Sequence, residues 1–397
     1  MRVAFVTETW LPSTDGIVTR LLATCRELLD AGHDVLVVCP RPGMPATGQS
    51  ADSPQVPSQV RVCTVPTVGA AFLYGGQRWG LPVPAVGRYL RQFGPDVVHV
   101  VNPVFLGIAG VASARRSRLP LVESYHTNVA TYAGYYHLGW LRPLIWFVLR
   151  TLHSRATINL ATSRTGQREL AAHHVAGTQL WPRGVDLDLF RPASATPEGR
   201  PVALYVGRLA AEKGLGRLAV LSAPDSDFDL LIVGDGPYRE ELREVLGPSA
   251  RFTGTLHGEA LADAYRSANV FVFPSTTDTL GLVVLEALAS GLPVVAVQSP
   301  SSEELLTGCP AAKLVSASDP QEMVEAAREL VAFGLTAATQ GVPDVTASAR
   351  QFSQTFGWRD ATSGLLDHYA RAIQDNAGDL ATSRRRPRRH RPRPARR

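Results

Sequence analysis

At 397 residues the chain exceeds what one hydrophobic core usually fills, and 45% apolar against 19% charged residues is the balance of a globular protein. No run approaches the about eighteen uninterrupted apolar residues of a membrane-spanning helix, and the opening MRVAFVTETW reaches Glu8 and Asp15 too soon for a secretory leader. The formal charge of +5 comes from the end of the chain, where residues 384–397 hold nine arginines and no acid; the body is mildly acidic, and any nucleic-acid role rests on that tail alone. A cytoplasmic protein is predicted, or one peripheral on the inner face of a membrane.

In chain order, Met1 to Thr7 reads as a buried strand, PSTDG as a turn, Ile17 to Ala31 as a helix and DVLVVCP as the next strand: a βαβ unit. Further strands are predicted at Asp96–Val101, Leu119–Ser124 and Thr157–Ala161, with room for crossover helices between them. Between the last two, residues 132–155 mix Trp140, Trp146 and Phe147 with Arg142, Arg150 and Arg155, a pattern that suits an interfacial helix or a core helix with exposed arginines equally. After the linker GVDLDLFRPASATPEGRP a second series begins at Val202 (VALYVG) and continues with strands near 229–234, 251–254, 269–275 and 292–297. The domains are predicted at 1–194 and 195–355, with a terminal helix over about 356–375 packing back on the first, and 376–397 as a disordered Arg/Pro-rich tail. The fold class is α/β: two doubly wound, Rossmann-like parallel sheets facing a deep cleft, where open sheets of this kind bind ligands.

Three stretches of the second half carry chemistry. In PSTTDTLGLVVLEALASGLPVVA a strand end leads to a helix predicted to open near Thr279. Asp278 stands at or near its N-cap, and Glu286 follows a little over two turns later on nearly the same side. The N–H groups of Leu280 and Gly281 are predicted to face an anion, and Gly281 permits close approach. Glu286 lies within LVVLEALA, where a charge needs a partner such as a ribose diol. In VGRLAAEKGL, Arg208 and Lys213 offer two cations to a diphosphate, and Lys213 is one of only two lysines in the chain. In VGDGPYREEL the third glycine of a dinucleotide fingerprint is replaced by Arg239, which argues against nicotinamide or flavin and leaves a plain strand-to-helix turn around Gly236 as the simpler reading.

In the first half, Gly16 in TETWLPSTDGIVTR lets a loop approach a phosphate or sugar, and His126 in ESYHTNVATYAGYY falls at the carboxyl edge of the sheet, within reach of a sugar hydroxyl. Asp225 and Asp227 have metal-pair spacing but precede a strand, which puts them at the wrong edge. The cysteines Cys25, Cys39, Cys63 and Cys309 show neither CxxC nor Cys/His spacing and read as buried thiols.

Taken together, Asp15-Gly16, the YHT segment with His126, RGVDLDLF, VGRLAAEKG, VGDGP and the run from Asp278 to Glu286 resemble the retaining glycosyltransferases of family 4, which have the GT-B fold. The resemblance covers the chain to about residue 375. It implies that Arg208 and Lys213 bind the donor diphosphate, that Glu286 binds the ribose, and that Asp278 touches the transferred sugar. The donor-binding set it implies is Gly16, Arg208, Lys213, Gly236, Thr279, Leu280, Gly281, Leu282 and Glu286, with His126, Arg208, Lys213 and Asp278 acting on the reacting centre. The family usually has Glu where this chain has Asp278; the TDTLG context is similar to actinobacterial α-mannosyltransferases and sulfoquinovosyltransferases of glycolipid synthesis. The partners implied are a nucleotide diphosphate sugar, GDP-mannose first and a UDP-sugar carrying GlcNAc, glucose or sulfoquinovose second, and a lipid or small-molecule acceptor. An anionic membrane surface is a further candidate partner through the tail and residues 132–155. No metal and no cofactor is expected. A nucleotide-sugar-binding pseudo-enzyme stands as the alternative of a different class.

Overall fold

The computed structural model describes residues 1–13, 15–42, 54–69, 78–126, 139–194, 199–340 and 344–385. Its two main sheets are wholly parallel. The first has seven strands in the order Arg61–Val65, Asp34–Pro40, Arg2–Thr7, Val97–Val101, Leu121–Tyr125, Ile158–Ala161 and Gln179–Leu180. The second has six, in the order Ala250–Gly254, Asp229–Val233, Val202–Val206, Val270–Phe273, Val294–Val297 and Ala312–Val315. Both begin on a central strand, wind outward to one side and then cross back to the other. The crossovers fall beside Arg2–Thr7 and beside Val202–Val206, which is where doubly wound sheets open a crevice at their carboxyl ends.

The valine-rich strands are buried on both faces, as parallel sheets between helices require. In the first strand, Val3 and Phe5 pack toward Leu21 of the helix Gly16–Asp30 and toward Leu365, Tyr369 and Ala372 of the terminal helix. Ala4 and Val6 face the opposite way, toward Leu90, Leu106 and Val111. Two-residue alternation thus gives the first domain a core on each side of its sheet.

Some elements differ from expectation. The strands Arg61–Val65, Gln179–Leu180 and Ala312–Val315 lie toward the sheet edges and have partly exposed residues, so they lack the apolar run that marks the central strands. The terminal helix runs Trp358–Arg385, well past 375, because DNAGDLATS contains no proline to stop it; the first is Pro387, outside the described residues. The turn Gly139–Leu141 and the helix Arg142–His153 are the described part of the aromatic and basic segment. Cys25, Cys39 and Cys309 are buried and Cys63 half-buried, all as free thiols. No described helix is long and apolar enough to cross a membrane.

The chain crosses between domains twice, along Val185 and along Gly357, which form a parallel bridge. A Cβ on Gly184 would stand 2.2 Å from the Trp358 ring, so this crossing admits only glycine there.

Candidate active site

The second sheet's crossover places two loops side by side. After Val202–Val206 the chain passes Arg208 and makes a short turn at Ala211–Lys213; after Val270–Phe273 it runs through Pro274 to Gly281. Gly214 takes φ +66° with a Cβ position 2.9 Å from the Pro274 carbonyl, so a side chain there would hold the loops apart. Thr277 Oγ1 donates to the Glu212 carbonyl at 3.0 Å, and Lys213 Nζ donates to Asp278 Oδ2 at 2.6 Å. Arg208 pairs with the buried carboxylate of Glu212. The two cations expected to meet a diphosphate are brought to one place, each beside an acid.

Asp278 is the hub. Its Oδ1 accepts from Leu280 N at 3.1 Å and from Gly281 N at 2.9 Å, its Oδ2 from Lys213. Burial pushes this carboxyl up, but the charge and hydrogen bond of Lys213 and the two backbone donors outweigh it, and its pKa lies below the ordinary aspartate value. Two expectations are corrected here. The N–H groups of Leu280 and Gly281 already serve Asp278, because its short side chain folds back on the next turn. The helix begins at Leu282 after a left-handed Gly281 (φ +60°) and not at Thr279, and no side chain caps it, so the open helical N–H groups start at Leu282. The side chains of Leu280 and Leu282 join Ala23, Trp358 and Ala361 in an apolar seam between the domains.

Glu286 is buried beneath this loop. Tyr265, on the helix Gly258–Arg266, donates its hydroxyl to Glu286 Oε2 at 2.8 Å. Burial raises the carboxyl to about 7 despite that bond. Tyr265 carried no signal in sequence, since a tyrosine in LADAYRSANV reads as core.

The first domain contributes differently. His126 follows Leu121–Tyr125 and is buried; its backbone carbonyl accepts from Thr279 Oγ1 at 2.6 Å, and its ring Nε2 bonds with Ser124 Oγ at 2.8 Å. Burial first, then the charge of Arg20, drives its pKa well below the usual value, so the ring is neutral. Thr279, expected at the donor, is therefore engaged between the domains: its own carbonyl also accepts from Arg183 Nη2 at 3.3 Å. Gly16 approaches the second domain: a Cβ there would lie 3.1 Å from Leu280 Cδ1. Asp15 caps the helix that Gly16 opens, accepting from Ile17 N and Val18 N. Gly236 is a packing glycine, with a Cβ position 2.2 Å from the Leu209 carbonyl, so it lets two loops touch.

Further residues here lacked a sequence signal. Glu304 accepts from Arg164 N at 2.7 Å, Thr165 N at 2.9 Å and Thr165 Oγ1 at 3.0 Å, latching the second domain to a helix start in the first. Arg183, within RGVDLDLF, is buried near Asp278 and Glu304. Glu8 follows the first sheet's central strand and accepts from Val104 N at 3.0 Å and Gly107 N at 2.8 Å; burial lifts it to about 7. Asp227 pairs with Arg328 at 2.5 Å, away from the cleft, and no group of His, Cys, Asp and Glu among the described residues forms a metal site.

Comparison with known proteins agrees with this geometry. Residues 14–189 match the model of Glycosyltransferase Family 4, and residues 200–332 that of Glycosyl transferases group 1. A GDP-mannose-dependent alpha-mannosyltransferase of Mycolicibacterium smegmatis is 40% identical over 78% of this chain and 83% of its own. The chain belongs to glycosyltransferase family 4. A second GDP-mannose-dependent alpha-mannosyltransferase, from Corynebacterium glutamicum, is 34% identical over 94% of this chain and 89% of its own. The sulfoquinovosyl transferase of Arabidopsis thaliana is 35% identical over 73% of this chain and 59% of its own. Among solved structures, sucrose-phosphate synthase from Thermosynechococcus elongatus superposes with a TM-score of 0.72 at 20% identity, covering 94% of this chain and 99% of that one, which establishes the shared fold. The protein is a glycosyltransferase with two Rossmann-like domains in the GT-B arrangement, as the motifs implied.

Proposed function

We propose that this glycosyltransferase moves mannose from GDP-mannose, with retention and without a metal, to a hydroxyl of a glycolipid. The observation that carries the reading is the joining of Lys213 to Asp278 at the second sheet's crossover, with Arg208 in the same loop and Glu286 beneath it. The 40% and 34% identical relatives, both GDP-mannose-dependent alpha-mannosyltransferases, favour GDP-mannose over a UDP-sugar.

The residues divide the work by charge. When the diphosphate arrives, Lys213 and Arg208 turn from their carboxylate partners to phosphate oxygens and stabilise the charge that grows as the diphosphate leaves. Asp278 keeps its two backbone donors through this exchange and so stays beside the sugar. The open N–H groups from Leu282 add donors at a helix start, and Glu286 takes the ribose hydroxyls. The departing diphosphate accepts the proton of the attacking hydroxyl on the same face of the sugar, so no protein nucleophile takes part.

A lipid acceptor is favoured by one surface. Trp140 is 75% exposed, Leu144 57% and Phe147 60%, at the spacing of one helical face, and Arg142 and Arg150 are exposed beside them. Leu149 and Leu152 are buried on the inner side, so the outer apolar residues are not needed for the core. Such a face suits the boundary of lipid headgroups. The arginine-rich segment 386–397 lies outside the described residues.

Calorimetric titration with GDP and UDP in EDTA, on the native protein and on Lys213→Ala, tests the donor site. Tight GDP binding weakened by the substitution supports the reading. UDP binding alone moves the donor to a UDP-sugar. Binding of neither by folded protein overturns it, and binding without turnover on any acceptor leaves a pseudo-enzyme.

A further inference from the structure

Behind His126 runs a buried chain of hydrogen bonds that reaches the terminal helix. Tyr369 Oη lies 2.7 Å from His99 Nδ1, His99 Nε2 lies 2.8 Å from Ser124 Oγ, and Ser124 Oγ lies 2.8 Å from His126 Nε2. All four side chains are at most 1% exposed. They come from two neighbouring strands, the residue just beyond one of them, and the helix Trp358–Arg385. At the far end His126 Nδ1 is buried with no partner among the described residues.

The direction of the chain follows from counting hydrogens. Both rings are neutral: burial, then the charge of Arg20, lowers His99 to about 3 and holds His126 well below the usual histidine value, so each ring carries one N–H. The Tyr369 hydroxyl has His99 Nδ1 as its single acceptor among the described residues and must donate there. His99 then carries its hydrogen on Nε2 and donates to Ser124 Oγ, and Ser124 spends its one hydrogen on His126 Nε2. The hydrogen of His126 is left on Nδ1. The reverse direction strands the tyrosine hydrogen among buried groups as well as leaving Nδ1 unpartnered, and one such orphan costs about 1–3 kcal/mol.

We propose that Tyr369, His99 and Ser124 are positioning residues that fix His126 as the Nδ1–H tautomer, so that it meets the nucleotide sugar as a hydrogen-bond donor to a sugar oxygen. This rests on the donor site argued above, to which His126 is tied through Thr279. The terminal helix, though distant in sequence from every site motif, then belongs to the catalytic apparatus. A tyrosine at 369 is needed for its hydroxyl, and phenylalanine, which fills the same core, does not replace it.

The test is two-bond ¹H–¹⁵N correlation of the histidine rings, read on the free protein. The expected spectrum shows His126 protonated on Nδ1 in the native protein and a mixture of tautomers in both Ser124→Ala and Tyr369→Phe. Tyr369→Phe is further expected to lower kcat about tenfold at nearly unchanged KM, the worth of one such bond. An Nε2–H tautomer in the native protein overturns the proposal, and so does a tautomer unmoved by both substitutions. Binding of neither GDP nor UDP, by contrast, sinks the donor-site reading and leaves the spectrum to be judged separately.

Discussion

The two sides of the cleft hold their key residues by opposite means. On the second-domain side, Lys213, Arg208, Asp278 and Glu212 form two ion pairs on loops, with Arg208 next to Gly207 and Lys213 next to Gly214. On the first-domain side, His126 is neutral, buried and reached through neutral groups. Charges that serve an anion must stay accessible and sit on loops, whereas a group that must keep one proton at one atom is better fixed where water cannot compete. The comparison teaches that electrostatic work and orienting work are placed at different depths of the same site.

Breaking the accessible side gives the largest effect. Lys213→Ala is expected to lower sugar transfer about a hundredfold or more, the loss typical of removing one stabilising donor, and initial rates at saturating donor measure it. Activity within a few-fold of the native enzyme would remove Lys213 from the reaction. On the buried side, Glu123 and His153 lie 3.7 Å apart, but burial pushes the acid up to about 8 and the histidine down to about 4, so both are neutral near pH 7. A raised carboxyl pKa stabilises the fold while the group is neutral: the contribution is complete below 4.5 and is lost as pH climbs through about 8. The thermal midpoint is expected to fall from pH 6 to pH 9, with Glu123→Gln flattening the slope.

Where the two sides meet, smaller changes are expected. Tyr265→Phe removes the bond that holds Glu286 down, so the acid limb of kcat/KM, set near 7 by Glu286, should move to higher pH by up to about one unit. An unmoved limb would assign it to another group. Glu304→Gln loosens the latch onto Arg164 and Thr165, with an expected several-fold rise in donor KM and a loss of about 1 kcal/mol in stability by chemical denaturation. The smallest effect on chemistry belongs to Trp140→Ser with Phe147→Ser: turnover on a detergent-solubilised acceptor within twofold of native, but loss of sedimentation with anionic vesicles. Unchanged vesicle binding would dismiss that face as a lipid contact.

Much of the fold was legible because parallel strands between helices must be apolar on both faces, so VALYVG and DLLIVG announce themselves. The strand Ala312–Val315, at a sheet edge, does not. Arg208, Lys213 and Asp278 stand out in the sequence as charges near glycine turns at strand ends, and Glu286 as a charge within the apolar run LVVLEALA; the structure joins Lys213 to Asp278 and buries Glu286. That the Leu280 and Leu282 side chains join a seam between the domains, and that Thr279 bonds the His126 carbonyl, left no mark in TDTLGL, since nothing there distinguishes a ligand-facing residue from one facing another domain. The packing of Gly236 on the Leu209 carbonyl was not legible, because a glycine that avoids a carbonyl looks the same as one that admits a phosphate.

By itself the sequence determined the two α/β domains, their order, the family, and the charged loops that follow the strands of the second sheet, because periodicity and motif spacing are local properties of the chain. Only the tertiary structure decided which carboxylate each cation holds, that the N–H groups of Leu280 and Gly281 are spent on Asp278, and that Tyr369 stands in line with His126. Hydrogen-bond partners are chosen by proximity across crossovers and domains, and nothing in the order of residues records which donors a buried acceptor will meet.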